Sequence, residues 1–381
     1  PQDWIEGIFA SCSELLAEHL PKGPVSELIA NGILPGISGV IVFVPQITIL
    51  FFFLLLMEES GYMARVVFLM DRWFRPVGLN GKSVVPLLSG AACAIPAVMS
   101  ARNIENTKER LITILVTPFM TCSARLPVYS ILIALIIPKG NGFLNYQGLA
   151  MMVMYLLGII MAFVGAAIAN KCIKSSYKSY LILDMPNYKV PFWKNVFHGL
   201  FEKSWSFVAN AGKIIIAISV ILWALGTFGK TTDEATQKTS YFTDVPLQDS
   251  YLGNFGKFIE PVFEPLGYDW KIDIGLLSSF AAREVFVGTI ASIYSMDDDG
   301  GENLKLKELM RKDINQNTGE PTYNLATGVS LLLFYAFAMQ CASTLAIVKK
   351  ETNSWKWPLI QLFGMTGFAY ILALIAYQLL K

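Results

Sequence analysis

The sequence predicts an all-α polytopic membrane protein made of two inverted repeats that contain re-entrant or broken helices. Three observations lead to this fold class: the composition, a pair of blocks that align with later blocks, and the distribution of charge between loops. Hydrophobic residues make up 54% of the 381 residues and charged residues only 15%. A soluble domain carries about 25% charged residues, so this chain is expected to reside in a bilayer.

Eight apolar segments occur along the chain, and most are long enough to cross the hydrocarbon core, which takes about 20 helical residues. They are 34–57, 84–101, 111–137, 147–170, 213–228, 273–295, 325–348 and 357–380. Segment 84–101 is short and holds two prolines and a glycine, while segment 273–295 carries Arg283 next to Glu284. We predict that these two segments are broken or re-entrant, because irregular backbone and charge persist at membrane depth only in protected or wet cavities.

Two blocks of the chain align with later blocks, which indicates an internal repeat. At an offset of 189, the matched pairs are Leu87 with Leu276, Leu88 with Leu277, Ser89 with Ser278, Ala92 with Ala281 and Val98 with Val287. At an offset of 219, they are Met120 with Met339, Cys122 with Cys341, Leu126 with Leu345 and Val128 with Ile347. The offsets differ by about the length of the polar insertion at 297–324.

Loop charge predicts that the second repeat is inverted. Lys and Arg outnumber Asp and Glu in loops 58–83, 102–110, 171–212 and 349–356, whereas acidic residues dominate loops 229–271 and 297–324. The first group is expected to be cytoplasmic and the second external. This assignment holds if the two irregular segments return to their own side, which leaves three crossings in each half and a site at the midplane between them.

The predicted organisation has six parts. They are an external or interfacial segment 1–33, a first repeat 34–137, a linking helix and cytoplasmic loop 138–190, an interfacial amphipathic helix 191–212, a second repeat 213–348 with the insertion 297–324, and a cytoplasmic turn with a last helix 349–381. The amphipathic helix is indicated by aromatic residues that recur at helical spacing opposite basic ones.

Sulfur and hydroxyl side chains in the irregular segments predict a path for a transition metal. Thiolate, thioether and hydroxyl groups suit Fe(II), Zn(II) or Cu(I), whereas magnesium and calcium need converging carboxylates. The candidate ligands are Cys93, Cys122, Cys341, Met120, Ser89 and Ser123. The alternative is that these residues only fill apolar helices; we favour a path for Cys93 and Cys122, leave both interpretations open for Cys341, and interpret Cys12 and Cys172 as structural.

Five charged residues are candidates for a pathway or gating role. Arg125 and Arg283 are expected mainly to form salt bridges or to extend towards the interface, because a cation path seldom holds a fixed positive charge. Glu284 is either the partner of such an arginine or a residue that attracts cations at the outer mouth. Glu58 and Glu59 end the first span and could accept metal at the cytoplasmic face.

Several motifs give the chain a specific resemblance to a known family. The motifs are Glu59 to Arg65, Met70 to Arg72, Gly78 to Ser83, Gly90 to Ala97, Pro118 to Tyr129, Ala281 to Thr289, Gln340 with Cys341, and Lys350 to Thr352. With them, the sequence resembles the FeoB ferrous iron transporter family over nearly its whole length. The family's usual Gly-Phe-Gly-Cys and Met-Ser-Cys runs stand here as Gly-Ala-Ala-Cys and Met-Thr-Cys.

The resemblance implies gate-type repeats and uptake of Fe²⁺ across the bacterial cytoplasmic membrane, with a cysteine of each repeat in the metal path. It implies no permanently bound cofactor and no enzyme activity in this chain. GTP and Mg²⁺ would belong to an upstream GTPase domain of the same polypeptide, which with a first transmembrane helix is expected to precede Pro1. Further expected partners are lipid, a small cytoplasmic Feo-type accessory protein and further copies of the chain, but no nucleic acid.

Three alternatives stay open at this point. The chain could carry Mn²⁺ or Zn²⁺, it could be a nucleoside-type solute transporter, or it could be a membrane-embedded enzyme. Paired cysteines argue against a nucleoside path, and no intramembrane segment holds the paired carboxylates or histidine that catalysis would need. The run Gly81-Lys82-Ser83 is not a phosphate loop, because Pro76 stands where the required glycine would be, so we predict a turn into segment 84–101.

Overall fold

A computed structural model describes residues 28–137, 145–173, 187–229, 231–232, 239–240, 250–280, 283, 285–295, 309–311, 313 and 321–381. This part is helical apart from a two-residue antiparallel ladder of β1 (Thr231–Thr232) with β2 (Thr239–Ser240). The α-helices are α1 (Leu34–Glu59), α2 (Tyr62–Phe74), α3 (Val84–Gly90), α4 (Ala94–Ser100), α5 (Thr107–Val116), α6 (Leu126–Ile136), α7 (Tyr146–Cys172), α8 (Trp193–Phe207), α9 (Lys213–Thr227), α10 (Tyr251–Phe263), α11 (Trp270–Ser278), α12 (Val285–Ser295), α13 (Leu325–Phe337), α14 (Ala342–Thr352) and α15 (Lys356–Leu380).

Five helical stretches of the described residues are long and apolar enough to cross a membrane. They are Leu34–Glu59, Thr107–Ile136, Tyr146–Cys172, Leu325–Thr352 and Lys356–Leu380, and two shorter apolar helices are Lys213–Thr227 and Val285–Tyr294. The predicted fold class, an all-α polytopic membrane protein, is confirmed. Asn145 and Asn324 begin two of these stretches as N-caps, since their side-chain oxygens accept backbone N–H groups that a helix start leaves unpaired.

Four apolar segments are interrupted, in two different ways. Helices α3 and α4 pack against each other, as do α11 and α12, so each pair forms a hairpin within the apolar region. By contrast, α5 and α6 scarcely contact each other, and neither do α13 and α14, so each of these pairs continues across a break in one direction. The described residues therefore contain two short helical hairpins, at the segments predicted to be broken or re-entrant, and two long apolar stretches that are each broken in the middle.

The break between α13 and α14 differs from the sequence prediction. Segment 325–348 reads as an uninterrupted span, yet Ala338 and Cys341 have extended backbones and separate the two helices. The guanidinium of Arg283 donates to the carbonyls of Tyr335, at 3.3 Å, and Ala338, at 3.1 Å. A partner so distant in sequence leaves no local signal, which is why the pattern missed this break.

Two helices also lie in regions predicted as loops. Helix α2 follows the left-handed Gly61, with φ of 77°, and runs through loop 58–83, which is predicted to be cytoplasmic. Helix α10 lies within loop 229–271 and begins at Ser250, whose hydroxyl accepts the N–H of Gly253 at 3.0 Å. Both helices are amphipathic and short of a membrane span, so a search for long apolar runs passes over them.

The run Gly81–Ser83 is a single 3₁₀ turn that leads into α3. Asn80 caps the turn by accepting the N–H of Lys82, and the Gly81 N–H donates to Asp71 at 2.9 Å. A Cβ on Gly81 would lie 2.3 Å from the Val67 carbonyl oxygen, so this close approach requires glycine. The predicted turn is confirmed, and its N–H groups are engaged within the protein.

Helix α8 corresponds to the predicted amphipathic helix. It packs on α1, where Ser204 and Thr48 share a hydrogen bond of 3.1 Å between hydroxyls. Its aromatic side chains Trp193, Phe197, Phe201 and Trp205 are exposed. An exposed aromatic row on a helix that carries basic residues fits a position at the membrane interface.

Two of three clusters of buried apolar side chains join the two predicted repeats. One joins α6 of the first predicted repeat to α11, α12 and α13 of the second and to the last helix α15. A second cluster joins α1 and α4 to α14, and a third joins α2, α3 and α5 of the first predicted repeat to the linking helix α7. Each broken crossing helix thus sends its second half into the core of the other repeat.

Some sequence predictions fall outside the described residues. They are segment 1–27, Cys12, Glu284 and the acidic cluster 297–299 with most of the insertion 297–324.

Candidate functional site

The breaks in the apolar segments meet at one cavity of about 90 Å³. Its walls carry five sulfur-bearing side chains, which are Cys93, Met120, Cys122, Met339 and Cys341. We call this space the thiol cavity. The structure therefore brings together the three cysteines and Met120 of the predicted ligand set.

The three cysteines occupy equivalent local positions. Cys93 precedes α4, Cys122 precedes the 3₁₀ turn that leads into α6, and Cys341 precedes α14, each with an extended backbone. Each thiol lines the thiol cavity at a break in the helical backbone, which makes it a candidate ligand.

The thiols do not form a closed metal centre. Among the described residues, no group of three or more His, Cys, Asp or Glu side chains is arranged to hold a metal ion. The described cysteines, Cys93, Cys122, Cys172 and Cys341, are free thiols. Thr344 donates its hydroxyl to the sulfur of Cys341 at 3.0 Å. The cavity thus offers sulfur atoms that the described residues do not gather into a site with three or more such ligands.

Hydrogen bonds join the two breaks within each repeat. In the first repeat, Ser123 donates its N–H and its hydroxyl to the carbonyl of Ala92, at 3.3 and 2.9 Å. In the second repeat, Ala342 donates its N–H to the carbonyl of Phe280 at 3.0 Å. Ser123 lines the thiol cavity, but its hydroxyl is engaged as a donor in this bond.

Arg125 holds the unwound backbone of the first broken helix. Its side chain is fully buried and donates to the carbonyls of Pro118 at 3.0 Å, Phe119 at 3.4 Å and Met120 at 3.2 Å. No ion pair between described residues involves Arg125, and its burial excludes a route to the interface. The expectation of an interfacial position is wrong for Arg125, because the side chain is fully buried and its described partners are freed carbonyls, while the proposed ion-pair partner Glu284 lies outside the described residues.

Arg283 has the same function in the second repeat, where it binds the carbonyls at the break between α13 and α14. It lines the thiol cavity together with Arg125, and the two guanidinium groups repel each other electrostatically. Two fixed positive charges beside this cavity oppose the entry of a cation.

Sequence reasoning missed three polar residues of the thiol cavity. Gln46 projects from α1, and Ser343 and Thr344 from the first turn of α14. Gln46 follows Pro45 inside an otherwise apolar span, and this interruption is a signal that the sequence offered. The two hydroxyl residues follow Cys341 directly, so they would have been found if the break before α14 had been recognised.

Ser89 and Glu58 lie in a second cavity, of about 280 Å³, between α1, α2 and α3. Ser89 donates its hydroxyl to the carbonyl of Val85 at 2.8 Å, as serines in apolar helices commonly do. Glu58 lies 3.9 Å from the ammonium of Lys203, and Lys82 also lines this space. The predicted ligands are thus divided between two cavities. Glu59 ends α1 and lines neither of them.

Comparison with known families identifies the class of membrane protein to which this chain belongs. A family model named Gate, described as nucleoside recognition, matches residues 40–136 and 208–355. These ranges overlap the two predicted repeats, and with the broken helices they define a gate-type polytopic membrane protein. A second model, for the ferrous iron transport protein B C terminus, matches residues 151–203.

The curated relatives identify the family more closely. An Fe(2+) transporter FeoB of Leptospira biflexa is 45% identical over 383 residues, covering 100% of this chain and 55% of the relative. One from Staphylococcus aureus strain MSSA476 is 38% identical over 378 residues, 99% of this chain and 52% of the relative. The chain belongs to the FeoB family and matches its membrane part.

A third relative is a fusion protein. The Fe(2+) transport protein A/Fe(2+) transporter FeoB fusion protein of Porphyromonas gingivalis is 33% identical over 405 residues, which is 100% of this chain and 47% of the relative. The chain spans about half the length of the curated relatives it matches. No solved structure matches the chain.

Proposed function

We propose that this chain is the membrane permease part of a GTPase-coupled transporter that carries Fe²⁺ into the bacterial cytoplasm. The observation that carries the proposal is the convergence of Cys93, Cys122 and Cys341 on one cavity, each directly before a half-helix. The names of the relatives support ferrous iron as the substrate.

The chemistry of the thiol cavity suits a transported ion. Fe²⁺ accepts sulfur, amide and hydroxyl ligands, and the cavity presents thiols next to Gln46 and Ser343. A volume of about 90 Å³ leaves room for several waters beside the ion. Fe²⁺ would exchange part of its hydration shell for one or two protein ligands at a time, and separated ligands allow release.

The cavity that holds Ser89 and Glu58 provides the route onwards to the cytoplasm. Ser89 is three residues before Ala92 in the same hairpin, and Glu58 ends α1 on the side of the basic loops. Glu58 would receive the ion after the thiols, because a carboxylate in a hydrated space binds Fe²⁺ with fast exchange. Lys203 is then displaced from Glu58 by the ion.

Hydrolysis of GTP belongs to a separate domain in this proposal. Within the described residues the Gly-Lys-Ser run is a 3₁₀ turn whose N–H groups are already bonded, so it offers no phosphate site. An upstream GTPase domain of the same polypeptide would bind GTP and Mg²⁺, and an accessory protein like the partner fused in the Porphyromonas gingivalis relative would bind at the cytoplasmic face. In this proposal the chain lies in the cytoplasmic membrane. It acts as a transporter and not as an enzyme.

The test is metal accumulation in anaerobic bacteria that lack their own ferrous transporters. The cells express the chain joined to its upstream portion, as wild type, Cys122→Ser or the matched control Cys172→Ser, whose exposed thiol ends α7 outside the cavity. Elemental mass spectrometry should show iron rising with the wild type and the control and not with Cys122→Ser. A rise of manganese or zinc alone would overturn the choice of metal, and equal iron in both serine variants would exclude Cys122 from the path.

A further inference from the structure

A third cavity, of about 340 Å³, lies beside the break between α13 and α14. Helices α9, α10, α11, α13 and α15 line it with mostly apolar side chains, and its polar side chains are Asp273, Gln340 and Thr366. Met339 lines both this space and the thiol cavity, so the two are neighbours. We call it the carboxylate chamber.

Asp273 is the unusual group of the chamber. It lies in the first turn of α11 and is only 2% exposed. Among the described residues, neither of its carboxylate oxygens has a hydrogen-bond partner. A buried carboxylate without donors is strongly destabilising, because it has lost its hydration and gained nothing in exchange.

The surrounding charges do not balance Asp273. The charged groups that act on it are Glu260 of α10 and Asp269 at the start of α11, and both are acidic. Lys271, the basic residue nearest in sequence, is bonded to Asp313 at 2.8 Å. No ion pair between described residues includes Asp273. Among the described residues, Asp273 thus faces the chamber without a compensating positive charge, which a bound cation would supply.

Gln340 adds an oxygen to the same space. It is 5% exposed, and its side-chain oxygen has no hydrogen-bond partner among the described residues. With the hydroxyl of Thr366, the chamber presents carboxylate, amide and hydroxyl oxygens. Oxygen ligands bind divalent cations that keep part of their water, whereas sulfur ligands need closer contact with a softer ion.

We infer that Asp273 and Gln340 form a binding station for a partly hydrated divalent cation, which receives the ion before the thiols do. The inference rests on the proposed function for the direction of movement. Helix α11 follows loop 229–271, whose acidic composition predicts the external side. The ion would pass from oxygen ligands in the chamber, along Met339, to the sulfur ligands beyond it.

Binding of Mn²⁺ tests the station without transport. The full chain is reconstituted in lipid nanodiscs, and free Mn²⁺ is measured by its paramagnetic resonance signal. Asp273→Asn keeps the shape of the side chain and removes the charge, and it should weaken Mn²⁺ binding about tenfold, because ligand charge sets the affinity of such sites. Gln340→Met should weaken binding less, and Glu105→Gln, which removes an exposed carboxylate in loop 102–110, should leave it unchanged.

Thermal unfolding gives a second readout. Without metal, Asp273→Asn should unfold at the same or a higher temperature than the wild type, since it removes an uncompensated buried charge. With Mn²⁺ the wild type should gain stability and this variant should not. The inference of a binding station would be overturned if the wild type and Asp273→Asn bound Mn²⁺ with equal affinity, or if the wild type bound no Mn²⁺.

The test separates this inference from the proposed function. A variant with serine at Cys93, Cys122 and Cys341 should lose iron uptake and keep the Asp273-dependent binding of Mn²⁺. If that variant transports iron normally while Asp273→Asn still weakens Mn²⁺ binding, the binding station is supported and the proposed path along the thiols is wrong.

Discussion

Arg283 and Tyr335 hold each other reciprocally. The guanidinium of Arg283 donates to the backbone carbonyl of Tyr335 at 3.3 Å, and the hydroxyl of Tyr335 donates back to the carbonyl of Arg283. The guanidinium carbon also lies 5.9 Å from the centre of the tyrosine ring. This pair fixes the hairpin of α11 and α12 to the break after α13.

Loss of the tyrosine hydroxyl should loosen this connection. Tyr335→Phe leaves the ring in place and removes one buried donor, so we expect a loss of about 1–3 kcal/mol of stability. Thermal unfolding in detergent measures the change. The control is Tyr370→Phe, whose exposed hydroxyl donates to the Val262 carbonyl at 2.7 Å and should contribute less. Equal losses of stability in the two variants would show that the hydrogen bond from Tyr335 contributes no more than the exposed one from Tyr370.

Arg125 should not be replaceable by lysine. Its planar fork binds three successive carbonyls of the unwound segment, and an ammonium group on a flexible stem cannot reproduce this geometry. We expect Arg125→Lys to lower stability by about 2–4 kcal/mol and to reduce iron uptake. The matched control is Arg75→Lys, at a half-exposed side chain paired with Asp71. Normal uptake by Arg125→Lys would mean that charge alone suffices at the break.

Gly158 should be required for the close packing of α7 on the first break. A Cβ at this position would lie 2.6 Å from the hydroxyl of Thr121 and 3.1 Å from the carbonyl oxygen of Phe119. Gly158→Ala should therefore displace the backbone next to Cys122 and reduce uptake. Gly367→Ala in α15 is the control, since nothing lies within 4 Å of the added atom.

The control should also gain stability, because alanine is favoured over glycine in a helix by about 1 kcal/mol. Iron uptake and thermal unfolding of both alanine variants check this prediction. Equal uptake by Gly158→Ala and Gly367→Ala would show that the break tolerates movement of α7.

Glu351 should stabilise the contact between loop 102–110 and the end of α14. Its carboxylate binds the guanidinium of Arg102 through two bonds, one of 2.7 Å from Nε to Oε2. The Glu351 side chain is 7% exposed and that of Arg102 54%. The hydrogen bond from Arg102 to Glu351 raises the pKa of the guanidinium, so Arg102 stays charged at any physiological pH.

Glu351→Gln should lower stability by about 1 kcal/mol, a value discounted for the exposure of Arg102. The control Glu105→Gln breaks the ion pair with Lys82, in which the Glu105 side chain is 89% exposed, and should have no measurable effect. Thermal unfolding of both variants at low and high salt distinguishes the effect of Glu351→Gln from that of Glu105→Gln. A Glu351→Gln protein as stable as the control would exclude a structural role for the pair.

The sequence predicts the helical membrane fold and most of the cavity, because these depend on composition and on residue types in irregular segments. Cys93, Cys122 and Met120 could be found since prolines and hydroxyls surround them. The break before Cys341 could not, because it depends on Arg283, which is distant in sequence. Asp273 was also missed: a single carboxylate at the start of an apolar segment resembles a solvated helix end.

The interlocked cores have a consequence for biosynthesis. Helix α6 completes its packing on α12 and α13, and α14 completes the core around α1 and α4, so each half of the polypeptide contains a piece of the other. The first half therefore leaves the ribosome with an unfilled hydrophobic groove that only later translation can close. Folding in the bilayer can therefore be completed only after the second half has been synthesised. Either half made alone would expose unpacked apolar surface and would be a substrate for membrane proteases.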